Sequence, residues 1–116
     1  MVDAMRESLK QFLAYNDSDD ELEYYIRMHA DWNEESFVKM RQLIRKVIED
    51  YSDDDYYPKT FVYYCMKSVE RIIGIISRIE FCNTWPEGFT KESYKDFITA
   101  RIDQLELLQK EFIGSL

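Results

Sequence analysis

The fold of this chain is decided by the stretch FVKMRQLIRKVIEDY, residues 37–51. Its apolar residues recur every three or four positions and so form one stripe along an α-helix. The polar positions between them form the opposite, solvated face. A helix of this kind buries its stripe against other helices, and we predict that Asn33 caps its N-terminus. The members of the stripe are Phe37, Met40, Leu43, Ile44, Val47, Ile48 and Tyr51.

The sequence on both sides of this stretch also has helical periodicity, and the alternation typical of strands is nearly absent. The most apolar segment begins at Pro58 and predicts a central helix. Phe89, Thr90 and Tyr94 have the spacing of a hydrophobic staple around an N-cap. We predict an all-α, single-domain bundle of four to five helices over the whole chain. The predicted helices run from Asp3 to Tyr15, from Ser18 or Asp19 to about His29, from Asn33 to Tyr51, from Pro58 to Phe81, and from Thr90 to Gly114.

The two cysteines, Cys65 and Cys82, fall on the same predicted helix. At 1.5 Å per residue they would lie roughly 25 Å apart, which is beyond the reach of a disulfide. We therefore expect inert thiols in a reducing compartment. The chain has no apolar run of roughly 18 residues and no basic start followed by an apolar core, so we expect a cytoplasmic protein without membrane contact.

Residue patterns that support catalysis or metal binding are weak in this sequence. The single histidine, His29, falls on the inner stripe of its predicted helix and has no obvious nucleophile beside it. Calcium loops starting at Asp17 or Asp53 lack the glycine at the sixth position and the glutamate at the twelfth. Pairs of the Glu-x-x-His type, Cys-x-x-Cys pairs and glycine-rich phosphate loops are also missing. We predict no enzyme activity, no cofactor and no metal site.

The net charge of −8 is carried entirely by the first half of the chain. Residues 1–57 hold 15 acidic and 7 basic side chains, whereas residues 58–116 hold 8 of each. An acidic surface repels nucleic acids and anionic membranes, and it attracts basic proteins. The charge pattern therefore predicts a basic protein partner and no binding to nucleic acid.

Two acidic segments are the candidate contact residues. In the connector between the third and fourth predicted helices, three consecutive aspartates are set among three tyrosines, which offer a large contact area at low entropic cost. The second segment precedes and opens the second helix. We hypothesise that both contribute to one binding face, formed by Tyr51, Asp53, Asp54, Asp55, Tyr56 and Tyr57 together with Asp17, Asp19, Asp20, Glu21 and Glu23.

The segment SDDDYYPK, residues 52–59, resembles the S-D-x-x-Y-Y-P segment of the immunity proteins that neutralise DNase colicins and pyocins. The similarity in layout extends over residues 15–59, while Asp54 and Asp55 replace two apolar residues of the family motif. The resemblance implies a four-helix bundle whose motif grips the nuclease beside its active site, with specificity set by acids of the preceding helix. The positions that it implies for these roles are Asp53, Tyr56 and Tyr57 for the grip, and Glu34 and Glu35 for specificity.

In size, acidity and helical content the chain also resembles the immunity proteins of contact-dependent growth inhibition. Both resemblances imply a protein that blocks the basic cleft of a toxin. Two other functions remain open on the sequence alone. One is a structural or regulatory helical subunit that self-associates through exposed tyrosines, and the other is an acidic nucleic-acid mimic that inhibits a DNA-binding protein.

Overall fold

A computed structural model describes residues 5–116 of the chain, and all regular secondary structure in that range is helical. The predicted all-α bundle is thus confirmed, while the predicted cap at Asp3 lies outside the described residues. A π turn joins α4 to α5 without a break, and a 3-10 helix follows α5. The elements are α1 (Glu7–Asn16), α2 (Leu22–His29), α3 (Glu34–Asp50), α4 (Lys59–Tyr63), the π turn (Tyr64–Ser68), α5 (Val69–Ile76), the 3-10 helix (Ile79–Asn83) and α6 (Lys91–Gly114).

Helix α1 runs antiparallel to α3, and the segment from α4 to α5 runs antiparallel to α6, in an elongated body of 55 × 27 × 20 Å. At one end of the α1–α3 pair, the Tyr15 hydroxyl lies 2.9 Å from the Ser36 hydroxyl. At the other end, the Arg6 guanidinium donates a hydrogen bond to the Asp50 carbonyl oxygen. The start of α4 meets the end of α6, because the rings of Phe61 and Phe112 pack edge to face with centroids 5.6 Å apart.

The predicted stripe of α3 faces the core. Phe37, Met40, Ile44 and Val47 are buried, and Leu43, Ile48 and Tyr51 pack against the core from its edge. The Asn33 side chain accepts a hydrogen bond from the Ser36 amide and caps the helix as predicted. At the start of α6 the staple is also confirmed, since Thr90 is the N-cap and the rings of Phe89 and Tyr94 lie 5.4 Å apart.

Two predictions about α2 were wrong. The N-cap of α2 is Glu21 rather than Ser18 or Asp19, because an intervening turn delays the start of the helix. His29 is exposed, since α2 ends at that residue and the chain turns through a left-handed Ala30.

The predicted helix 58–81 stops five residues early. Its last residue is Ile76, after which the Ser77 hydroxyl donates to the Gly74 carbonyl and the backbone becomes extended at Arg78. Cys82 therefore lies in the 3-10 helix and not on the helix that carries Cys65. Both thiols are free and buried, and burial raises the pKa of Cys65 to about 12, as expected of an inert thiol.

Candidate protein-binding surface

The connector between α3 and α4 presents an exposed tip that carries acids and one tyrosine. Asp53, Asp54, Asp55 and Tyr56 are all exposed, and Tyr56 keeps 83% of its accessible surface. A tyrosine ring that is so exposed contributes little to the stability of its own fold. The tip, which we define as residues 53–56, is therefore the part of the predicted site that is free to touch a partner.

Tyr57 has a different role from Tyr56, although the two are adjacent. Its ring is half-buried and lies 5.4 Å from the Phe61 ring and 5.3 Å from the Phe112 ring. Its hydroxyl lies 2.8 Å from the Ser115 hydroxyl, at the end of α6. Tyr57 thus anchors the connector to the core, and its ring is only partly available as the predicted contact.

Arg6 holds the connector from the other side. Its guanidinium stacks 4.2 Å from the centre of the Tyr51 ring and forms a 3.0 Å ion pair with Asp54. Asp54 is thereby neutralised within the chain. Asp53 and Asp55 have no ion-pair partner among residues 5–116, so they supply the free negative charge of the tip.

The second acidic segment is only partly exposed. Asp17, Asp19 and Asp20 are exposed, but Glu21 and Glu23 retain only 6% and 9% of their accessible surface. The sequence interpretation of these two glutamates as contact residues is corrected here, because both are bound within the fold.

The Glu21 carboxylate accepts hydrogen bonds from the first turn of α2 and from the π turn. The donors in α2 are the amides of Glu23 and Tyr24, at 2.7 and 3.0 Å. A third bond of 2.5 Å comes from the Tyr64 hydroxyl. A carboxylate is stabilised by amide donors at a helix N-terminus, which accounts for the burial of Glu21.

Glu23 joins α2 to α5. Its carboxylate accepts a 2.8 Å hydrogen bond from Arg71 Nε and a 3.0 Å hydrogen bond from Arg27 Nε. Arg71 also donates to the Tyr63 hydroxyl at 2.9 Å. The sequence contained no signal for this pairing, because Glu23 and Arg71 are separated by 48 positions.

The buried ion pairs of Glu23 predict a pH dependence of stability. Burial raises the pKa of Glu23, but the hydrogen bonds from Arg71 and Arg27 outweigh it and leave the pKa below its ordinary value. The stabilisation is therefore complete above the unfolded pKa of about 4.3 and is lost as the pH falls through the folded pKa. In Glu23→Gln we expect the free energy of unfolding at pH 7 to fall by about 1 kcal/mol.

This expectation can be measured by urea unfolding at pH 7, 5 and 3. Between pH 5 and pH 3, the free energy of unfolding should fall less in Glu23→Gln than in the wild type. Glu80→Gln is a matched control, because Glu80 is exposed and forms no ion pair within the described range. Parallel declines in all three proteins would show that the Glu23 ion pairs contribute nothing to acid unfolding.

The two glutamates assigned to specificity also differ in their surroundings. Glu34 accepts hydrogen bonds from Arg101 Nε at 2.8 Å and from the Trp32 indole at 2.9 Å. Burial raises its pKa, but these donors outweigh that effect and leave its pKa lowered. Glu35 is exposed and lines a cavity of about 140 Å³ together with Asp20 and Lys39. Of the two, only Glu35 is free of such contacts.

The two acidic segments lie at opposite ends of α3. Ser36, in the first turn, donates a 2.5 Å hydrogen bond to the Asp20 carbonyl, whereas Arg6 joins Asp50, in the last turn, to Asp54. The intervening helix is about 21 Å long at 1.5 Å per residue. The face hypothesised from both segments is therefore divided into two separate patches, and the tip carries the more exposed aromatic ring, since Tyr56 is 83% accessible and Tyr24, beside the other patch, is 45% accessible.

Within residues 5–116 no three His, Cys, Asp or Glu side chains are grouped so that they could hold a metal ion. The helices of that range are also too short or too polar to cross a membrane. Comparisons of the chain with protein-family models, with curated proteins and with solved structures found no match. The resemblance to immunity proteins therefore depends on the residues quoted for it.

Proposed function

We propose that this protein is an immunity protein that binds and neutralises a basic bacterial toxin, a nuclease, through the tip of residues 53–56. The observation that carries the proposal is the exposure of Tyr56 between free acids on a connector that is fixed from two sides. Fold alone does not imply function, so this surface, and not the helical bundle, supports the proposed role.

The anchoring of the connector favours binding. Tyr57 is held by Phe61 and Phe112, and Tyr51 is covered by Arg6. A surface that is ordered before association loses less conformational entropy when it binds. The tip therefore has the properties of a binding hot spot, namely an aromatic ring on a rigid base with charges at its rim.

Charge explains why the partner would be a nuclease. A nuclease cleft binds phosphates with basic side chains, and the free carboxylates of Asp53 and Asp55 are complementary to such a cleft. An acidic protein seated at its rim would exclude nucleic acid by both charge and volume. In this role the protein acts in the cytoplasm of the cell that makes the toxin.

The proposal is tested by affinity capture from lysate of the source cells, at low and at high salt, followed by a nuclease assay on the captured protein. We expect a basic nuclease whose capture is weakened by salt, and whose cleavage of DNA or RNA stops when one equivalent of this protein is added. Capture of no nuclease under either condition, or a captured nuclease that stays active, would contradict the proposal.

The residues of the tip are tested with the captured toxin. We expect Asp53→Ala/Tyr56→Ala to raise the Kd by roughly 30-fold, or about 2 kcal/mol, because hot-spot contacts dominate affinity. The matched control is Asp19→Ala/Tyr24→Ala, which removes one exposed acid and one exposed tyrosine far from the tip. Isothermal titration calorimetry measures the Kd of each double variant for the toxin. Equal Kd values would show that the toxin does not bind at the tip.

A further inference from the structure

A small apolar groove lies at the end of the molecule opposite to the tip. It is enclosed by the end of α5, the 3-10 helix and the first half of α6, with Ile76, Cys82, Ile98 and Ile102 among its lining residues. Its volume is about 170 Å³. An apolar cavity of about 150 Å³ in another protein accepts benzene, so the groove has room for one aromatic ring.

The charged residues that line this groove are all basic. They are Arg78, Lys91 and Lys95, and none of them forms an ion pair within the described part of the chain. Ile79 stands at the same groove with 86% of its surface accessible. In a protein of net charge −8, the groove is a local apolar site with a positive rim.

The tip has the complementary properties. Tyr56 and Ile79 are the two most exposed large apolar side chains of residues 5–116. Tyr56 follows three aspartates, whereas the charged residues that line the groove with Ile79 are basic. The tip and the groove cannot meet within one molecule. Tyr57 is bound to Ser115 at the end of α6, whereas Lys95 lies about 30 Å away along the same helix at 1.5 Å per residue.

We infer that the groove receives the tip of a second copy of this chain. The Tyr56 ring enters the groove, and Asp53 and Asp55 face Lys91, Lys95 and Arg78 of the neighbouring copy. Because the two surfaces are different, the contact is head-to-tail and each added copy leaves one tip and one groove open. The contact is small, so the association is weak and depends on concentration and salt. This inference concerns the protein alone and does not depend on the proposed toxin.

Sedimentation velocity of the purified full chain, from micromolar to millimolar concentration, tests the inference. We expect the average mass to rise above that of the monomer at low salt and to return toward it in about 1 M salt, where the screening length is about 3 Å. The variant Lys91→Glu/Lys95→Glu should weaken association at least about tenfold, and so should Asp53→Lys/Asp55→Lys, because like charges then face each other.

These variants are compatible with folding, since all four residues are exposed. Lys91 and Lys95 lie in the first two turns of α6, where glutamate is favoured by the helix dipole. The matched control is Lys39→Glu/Lys67→Glu, which makes the same charge change at exposed positions outside the groove. It should associate about as strongly as the wild type and more strongly than the groove variant. Tyr56→Ala provides a tip variant without any charge change and should also reduce association.

Mixing the two charge-reversed variants gives the sharpest result. Each should associate only weakly alone, but the intact tip of Lys91→Glu/Lys95→Glu fits the intact groove of Asp53→Lys/Asp55→Lys. We expect association to return in the mixture, because the lysines of the reversed tip also face the glutamates of the reversed groove and the two variants can alternate along a chain. A wild type that stays monomeric at millimolar concentration, a mixture that stays monomeric, or variants that associate like the wild type would each overturn the inference.

Discussion

Replacing Phe61 by alanine is expected to lower the free energy of unfolding by about 3–5 kcal/mol. Phe61 has no accessible surface, and its ring packs edge to face with Phe12 at 5.2 Å and with Phe112 at 5.6 Å. It also lies 5.4 Å from the Tyr57 ring. One side chain thus joins α1, the connector, α4 and α6, and its removal leaves a cavity that four separate segments would have to close.

The loss is large relative to the stability of a small domain, which is about 5–15 kcal/mol. Urea unfolding, monitored by the circular dichroism of the helices, measures this loss of free energy. The slope of the free energy with urea concentration should be the same in both proteins if they unfold in the same way. Ile79→Ala is the matched control, because Ile79 is 86% exposed and its truncation should cost no more than about 0.5 kcal/mol. If Phe61→Ala costs less than about 1 kcal/mol, the packing described for the aromatic cluster is wrong.

Replacing Glu21 by alanine is expected to cost about 2–4 kcal/mol. Loss of an N-cap costs about 0.5–2 kcal/mol. The change also leaves the buried Tyr64 hydroxyl with only the Met40 sulfur as an acceptor, at 3.3 Å, in place of the carboxylate at 2.5 Å. Thioether sulfur is a weak acceptor, and a poorly satisfied buried group costs about 1–3 kcal/mol. Burial and the nearby carboxylate raise the pKa of Tyr64, so this hydroxyl keeps its proton and remains a donor.

A double-mutant cycle with Tyr64→Phe separates the two contributions. If the Tyr64–Glu21 bond forms, the double variant should lose about 1–2 kcal/mol less than the sum of the two single losses, because no buried donor is left unpaired. Urea unfolding of the four proteins supplies the cycle. Strictly additive losses would show that Tyr64 does not bind the Glu21 carboxylate in solution.

The parts of the fold that could be predicted from sequence are those with local causes. The stripe of α3 and the Asn33 cap are fixed by residues within one or two turns of each other. The same is true of Thr90 and the staple of Phe89 and Tyr94. The end of α5 was missed because the apolar pattern continues through the 3-10 helix, where Phe81 and Cys82 are buried as they would be in a longer helix.

The exposure of the acidic tip could be expected from sequence, but the different roles of the residues beside it could not. Tyr56 and Tyr57 are adjacent and chemically identical, and only the Ser115 hydroxyl and the Phe112 ring, more than fifty positions away, make one an anchor and leave the other exposed. Likewise Glu21 and Glu23 resemble surface acids in the sequence, and only the contacts with Tyr64 of the π turn and Arg71 of α5 show that they are buried. The role of the tip in binding a toxin stays a prediction.

The π turn at Tyr64–Ser68 has a consequence for insertions and deletions in the gene. A π turn holds one more residue than an α-helical turn, and one residue corresponds to a rotation of about 100° around the helix axis. Loss of one codon there would restore a regular helical turn and keep Phe61 and Ile72 on the same buried side, because the π turn already contains the extra residue. Loss of a codon within α5 has no such compensation and would rotate the residues before it by about 100° relative to those after it, so the π turn is the place where this helix tolerates a change of length.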